Sequence, residues 1–138
     1  MEPATLAEIK DEIDRRAAVV GASGNLLPTY GCTEDFARPH IEADSRGYHY
    51  VVVERGSELE RVTTPHLDEL LFHVFDAITF SLAGQYEVQH RRRKEDGRIQ
   101  MFSHKIELLA KLAPAWAERT ARYHQEVLRV HPFEDWRF

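Results

Sequence analysis

The chain has 138 residues, 43% hydrophobic and 30% charged, a composition that is typical of one folded domain and not of a disordered protein. Its net charge of −5 argues against nucleic acid as the main partner and is compatible with a basic protein partner. Cys32 is the only cysteine, which excludes an internal disulfide. The sequence shows neither a signal peptide nor an apolar run of about 20 residues that could span a membrane. We therefore expect a cytoplasmic protein without a membrane partner.

The N-terminal segment predicts a first helix over residues 6–20. Thr5 and Glu8 have the spacing of a capping box, in which each side chain binds the backbone N–H of the other residue. Gly21 is a natural end for the helix, because glycine adopts the left-handed conformation that follows many helices. The apolar residues recur at helical spacing and predict one buried stripe of Leu6, Ile9, Ile13, Ala17 and Val20.

Glycine and proline punctuate residues 21–39, which predicts a loop. The loop nevertheless carries large apolar side chains, among them Tyr30 and Phe36. Such a loop either packs over the core or binds a partner. Cys32 lies in the same loop without a nucleophile signature around it, which favours a free, semi-buried thiol.

The segment from His40 to Thr64 is the one part of the chain that predicts a sheet. It is rich in aromatic and β-branched residues between Tyr48 and Val53, and turn-sized breaks lie on both sides of that run. We therefore expect an antiparallel meander of three strands, at residues 40–44, 48–55 and 59–63.

A second helix is predicted over residues 65–91. Thr64 suits the N-cap and Pro65 the first helical position, where a missing N–H costs nothing. Its broad apolar stripe predicts a central helix that packs on the meander, with buried Leu70, Leu71, Val74, Phe75, Ile78 and Leu82.

Two further helices complete the predicted order α-βββ-ααα, a single α+β domain over residues 1–138. The third helix, residues 98–112, is predicted to bury Ile99, Phe102, Ile106, Leu109 and Leu112 or Ala113. The fourth begins near Pro114, ends before Pro132 and is predicted to carry an apolar face of Trp116, Thr120, Tyr123, Val127 and Leu128. An aromatic tail is expected to pack back on the body through Phe133, Trp136 and Phe138.

The residues alone predict no catalytic, metal or cofactor site. None of the eight histidines has the spacing that places two ligands on one helical face. The basic run Arg91–Lys94 is typical of a solvated helix end rather than of a nucleic-acid contact.

In the meander, three glutamates lie close to Arg55 and Arg61, and they indicate either cross-strand ion pairs or a negative recognition surface. These three residues are Glu54, Glu58 and Glu60.

Several segments carry a family resemblance that runs through nearly the whole chain. They are Asn25–Gly31, Pro39–Glu42, Gly47–Gly56, Glu58–Arg61, Asp68–Leu71, Phe75, Thr79–Phe80, Tyr86–Glu87, His90–Arg91, Trp116–Ala117 and His131–Phe133. In these segments the sequence resembles the immunity protein 63 family of bacterial polymorphic-toxin systems. The run Gly47–Gly56 is the most specific part of the resemblance.

The resemblance implies that the protein is encoded beside a toxin and neutralises it by binding, without catalysis. The expected partner is a cognate toxin domain, and the predicted toxin-binding residues are Tyr30, Phe36, Glu54, Glu58 and Glu60. Two other classes stay open on the residues alone. One is a small ligand-binding or regulatory domain; the other is an enzyme in which Cys32, Glu54 or a histidine acts.

Overall fold

In the computed structural model of the protein, residues 3–31 and 38–134 are described, and they form four α-helices, one short 3-10 helix (Gly24–Leu26) and four strands. The α+β class is therefore confirmed. The elements are α1 (Leu6–Val20), β1 (Thr29–Tyr30), β2 (His40–Asp44), β3 (Gly47–Glu54), β4 (Ser57–Thr64), α2 (Leu67–Gln89), α3 (Gly97–Leu112) and α4 (Pro114–Val130). No helix in this part of the chain is both long enough and apolar enough to cross a membrane.

The sheet is mixed, with strand order β1-β2-β3-β4, so the prediction of three antiparallel strands is wrong in this detail. β2, β3 and β4 form the predicted antiparallel meander, and β1 adds a parallel strand beside β2. β1 lies inside the predicted loop. Its two residues are too few to show an alternating pattern, and its pairing with His40 and Ile41 arises only in three dimensions.

The prediction for α1 is confirmed, including both of its ends. The Thr5 hydroxyl accepts a hydrogen bond from the Glu8 backbone N–H, and the Glu8 carboxylate accepts one from the Thr5 N–H. Gly21 follows the helix with φ 70°, in the left-handed conformation. Four residues of the predicted stripe, Ile9, Ile13, Ala17 and Val20, are buried, whereas Leu6 is only half-buried.

The chain forms two compact units, Met1–Phe75 and Asp76–Phe138. The expectation of a single domain over residues 1–138 stays a prediction. In the first unit, the segment before α1 and the beginning of α2 contact Tyr48 and Tyr50, which share a face of β3. The Tyr48 hydroxyl accepts a hydrogen bond from the Ala4 N–H at 2.8 Å, and the Tyr50 ring lies 6.5 Å from the ring of His73 in α2. This ring contact agrees with the predicted packing of helix 2 on the meander for the part of α2 in this unit.

Gly47 allows the β2–β3 turn to lie against the end of β4. Its φ is 121°, and a Cβ at this position would lie 2.5 Å from the backbone oxygen of Thr64. Any other residue would therefore have to strain its own backbone and displace that of Thr64.

The start of α2 differs from the prediction, because Thr64 belongs to β4, where it pairs with Tyr48. Its hydroxyl accepts a hydrogen bond from the N–H of His66 at 3.1 Å, and the carbonyl of His66 accepts the first helical hydrogen bond. Thr64 is thus not the N-cap. The buried stripe is otherwise as predicted for five of its six residues, whereas Leu82 is only half-buried.

In the second unit, α3 turns a more polar side inward than its apolar residues predict. Leu109 is buried as expected, but the other residues of the predicted face are half-buried, and Leu108, Gln100 and Lys105 are buried instead. Both polar groups have partners: Lys105 Nζ lies 2.5 Å from Asp76 Oδ1, and the Gln100 amide donates to the His90 carbonyl at 2.8 Å. Burial of a polar group is tolerated when it is hydrogen-bonded, which a hydrophobic pattern does not anticipate.

The face of α4 is also rotated from the prediction. Pro114 opens the helix as expected, and Trp116 and Thr120 are buried, but Tyr123 is 67% exposed and His124 is buried in its place. The His124 ring stacks on Phe102 of α3 at 3.8 Å between centroids, which replaces the predicted contact of Tyr123. The Phe133 ring lies 6.1 Å from that of Phe102, so it contacts α3, but Phe133 is still 41% exposed and the expected packing is only partial. Trp136 and Phe138 lie outside the described residues.

Asp96 connects the start of α3 to Glu134, which follows α4, through hydrogen bonds. These contacts predict a pH-dependent contribution to stability. The Asp96 carboxylate caps the helix by accepting from the Arg98 N–H, accepts from the Glu134 N–H and pairs with the Arg98 side chain at 2.9 Å. The Arg98 guanidinium holds the pKa of the Asp96 carboxyl well below its usual range. A carboxyl with a lowered folded-state pKa stabilises the protein above its unfolded pKa, and this contribution is lost as the pH falls toward the folded value.

We expect Asp96→Asn to lower the free energy of unfolding by about 1–2 kcal/mol at neutral pH, because asparagine still caps the helix but carries no charge. The difference from the parent should shrink as the pH falls below about 4, the ordinary pKa of aspartate. Urea unfolding across this pH range measures it. Glu118→Gln, at an exposed position on α4, is the control. A difference that stayed constant with pH would contradict the prediction.

Candidate binding surface

A tight two-residue turn joins β3 and β4. Arg55 has φ 52° and Gly56 has φ 75°, and positive values at both central residues define a type I′ turn. The twist of this turn matches that of the flanking strands, so Glu54 and Ser57 pair directly across it. The tip of the hairpin is therefore short and regular rather than a long flexible loop.

A β-bulge follows the turn in β4. Val52 pairs with Glu60 and Val53 with Glu58, which leaves Leu59 as the extra residue without a cross-strand partner. The Leu59 side chain is 60% exposed. Because the bulge shifts the alternation of side chains by one residue, Glu58 lies on the same face as Arg61.

The bulge divides the three predicted glutamates between the two faces of the hairpin. Cross-strand partners share a face, so Glu54 and Glu60 lie on the face that carries Val52, and Glu58 lies on the other. All three are exposed. Within residues 3–31 and 38–134, Glu54 and Glu60 have no ion pair, whereas Glu58 pairs with Arg61 at 2.8 Å.

Arg61 links Glu58 to a buried histidine through a row of polar contacts. The guanidinium binds Glu58 at 2.8 Å and Glu42 at 3.4 Å, and the other oxygen of Glu42 lies 2.7 Å from His40 Nε2. Hydrogen bonds from His40 and then from Arg61 lower the pKa of Glu42, and those from Arg61 lower the pKa of Glu58. The carboxylates of this face are therefore already paired within the chain.

A second polar group holds β2, β3 and β4 together. His49 Nε2 donates to Asp44 at 2.8 Å, which leaves Nδ1 to accept from the Thr63 hydroxyl at 2.8 Å. This order of acid, imidazole and hydroxyl also occurs in hydrolases. His49 is only 2% exposed, however, so a substrate has no access to the imidazole. We therefore assign these three residues to cross-linking the strands.

The structure does not bring Tyr30 together with the glutamates. Tyr30 lies in β1, at the opposite edge of the sheet from β4. Its hydroxyl is buried without a hydrogen-bond partner among the described residues, and burial raises its pKa. Phe36 and Cys32 fall outside the described residues.

Leu59 is the exposed residue that the sequence prediction of the surface missed. Its signal was an apolar side chain between Glu58 and Glu60, directly after the turn. An exposed leucine flanked by two carboxylates can supply an apolar contact within a charged rim. As for metals, the described ranges contain no group of three or more His, Cys, Asp or Glu side chains placed to hold an ion.

Comparison with known proteins gives one family. Residues 44–126, more than half of the chain, match immunity protein 63. No curated protein and no solved structure matches. The matched part contains the whole β3–β4 hairpin with its three glutamates, whereas Tyr30 and Phe36 precede it. The chain therefore belongs to the immunity protein 63 family.

Proposed function

We propose that the protein binds the toxin domain of a bacterial polymorphic-toxin system and neutralises it without turnover. The observation that carries the proposal is membership of an immunity protein family over more than half of the chain. The partner is the toxin domain encoded beside this protein, which an immunity protein must neutralise in the producing cell.

The β3–β4 hairpin is the proposed contact surface. Glu54 and Glu60 lie on one face and have no ion pair among the described residues, and the exposed Leu59 precedes Glu60 at the bulge. Tight interfaces combine apolar anchors with a charged rim, and a preformed hairpin loses little conformational entropy on binding. The carboxylates would also steer a cationic toxin surface toward the hairpin. Glu58 lies at the rim, while Tyr30 and Phe36 remain contacts predicted from the sequence.

Neutralisation by binding, without catalysis, agrees with the structural roles of the buried histidines in the sheet. His40 and His49 are buried and hydrogen-bonded to carboxylates of their own sheet. These groups act within the fold and not toward solvent. The exposed features of the hairpin are instead suited to recognition.

Co-expression with the neighbouring toxin domain tests the proposal. We expect cells that express the toxin domain to survive when this protein is present, and to die when it is absent. A variant that fails to fold, produced at a comparable level, is the negative control. Death of cells that contain the folded, abundant protein would contradict the proposed function.

A further inference from the structure

We propose that β4 is the docking edge for the toxin, where an extended, basic segment of the toxin domain adds a further strand to the sheet. The inference rests on the proposed function and specifies how the partner binds. In this mode, main-chain hydrogen bonds supply much of the affinity and the flanking side chains supply the specificity.

The first observation is that β4 is an open edge of the sheet. Among the described strands, the order places β3 on one side of β4 and none on the other. In the described part of the chain, the backbone of residues 57–63 makes no backbone hydrogen bond apart from those with β3. Every residue from Ser57 to Arg61 is exposed, and so is Thr63.

The turn geometry shows which backbone groups are available. In a two-residue type I′ hairpin, the pair next to the turn, here Glu54 and Ser57, exchanges hydrogen bonds, and bonded pairs alternate with non-bonded pairs along the ladder. After the bulge, Glu60 and Val62 therefore bond to β3. Arg61 and Thr63, which face Val51 and His49, turn their N–H and C=O groups outward.

Charge indicates the chemistry of the added strand. Glu60 precedes the outward-facing Arg61 and has no ion pair among the described residues, and Glu54 shares its face. A partner strand with lysine or arginine opposite Glu60 gains a cross-strand ion pair. Charged residues and bulges on an edge also prevent promiscuous pairing, so the same features select a basic segment and reject others.

A second copy of this chain is a poorer occupant of the edge. The regular run beyond the bulge covers only residues 60–64, about 17 Å at the usual rise of a strand. Two copies paired along so short an edge would bury far less than the roughly 1,000 Å² of a stable interface. A toxin domain adds further contacts at Leu59 and the hairpin tip, which a strand pair alone lacks.

Residue-resolved amide hydrogen exchange, on the free protein and on its complex with the toxin domain, tests the inference. In the free protein, the Arg61 and Thr63 amides should exchange fast and those of Glu60 and Val62 slowly. In the complex we expect the Arg61 and Thr63 amides to slow by about tenfold or more, because each gains a main-chain partner.

The outcomes separate the two proposals. A complex in which both outward amides exchange at their free rates overturns the docking edge and leaves the immunity role in place. Slow exchange of these amides in the free protein at high concentration would show that a second copy covers the edge, and this also overturns it. Failure of the toxin domain to bind at all would overturn the proposed function itself.

A pair of variants at one position isolates the backbone contact. Thr63→Pro removes the outward N–H, whereas Thr63→Val keeps it, and both lose the hydroxyl that bonds to His49. We expect the dissociation constant for the toxin domain to be about tenfold higher or more for Thr63→Pro than for Thr63→Val. Equal constants for two folded variants would overturn the inference. If Thr63→Pro does not fold, the exchange measurement on the parent decides.

Discussion

Replacing Phe75 by alanine will lower the free energy of unfolding by about 3–5 kcal/mol, the usual range for truncating a core aromatic residue. Phe75 lies in α2 and is fully buried, with 0% exposure. The substitution removes the apolar contacts of the ring and leaves a cavity that the close-packed neighbours fill only in part. Urea unfolding followed by circular dichroism measures the loss.

Phe80 is the matched control for this substitution. It lies in the same helix but is 57% exposed, with its ring 5.7 Å from Lys105 Nζ. Phe80→Ala removes the same atoms from a mostly solvated position and should cost about 1 kcal/mol or less. Equal losses for the two variants would show that Phe75 is not part of the core.

Reversing the charge of Glu54 and Glu60 together is expected to slow association with the toxin domain by about tenfold or more at low salt. Both side chains are exposed and have no ion pair in the described part of the chain, so the fold should keep its stability. Added salt should slow the parent's association and have little effect on, or speed, that of Glu54→Lys/Glu60→Lys. Stopped-flow measurement of the association rate at several salt concentrations tests this.

The control is Glu118→Lys/Glu126→Lys, which changes the net charge equally on exposed positions of α4. It separates a local effect of the hairpin from an effect of overall charge. Equal slowing by both double variants would assign the effect to net charge. Parent-like association of the hairpin variant at low salt would place the toxin on another surface.

The features that could be predicted from the sequence are those set by neighbouring residues. The ends of α1 follow from Thr5, Glu8 and Gly21, which act within one turn of the helix. The meander follows from a β-rich run between two turn signals, and the start of α4 follows from Pro114. In each case the stabilising partner lies close in the sequence, so a local pattern contains the information.

The features that could not be predicted depend on partners far apart in the sequence. Lys105 is buried because Asp76, on another helix, neutralises it at 2.5 Å. Thr64 is a strand residue because Tyr48 pairs with it across the sheet, although its sequence context resembles a helix cap. Hydrophobic periodicity carries no signal for either partnership.

The candidate surface was only partly accessible to sequence reasoning. The acidic character of the hairpin was visible, but the one-residue bulge at Leu59 is not readable from composition. This bulge places Glu58 beside Arg61 and leaves Glu54 and Glu60 on the opposite face. Glu58 thus forms an ion pair with Arg61 within β4, whereas a role in recognition for Glu54 and Glu60 stays a prediction.

Titration of the toxin domain with this protein tests most directly whether neutralisation occurs by binding without turnover. The toxin is held well above the dissociation constant, and its activity is measured after each addition. We expect activity to fall linearly and to reach zero at one equivalent, because each molecule occupies one toxin domain. Complete loss of activity at a small fraction of an equivalent, increasing with time, would reveal catalytic inactivation and contradict the account. Full activity at several equivalents of folded protein would contradict it as well.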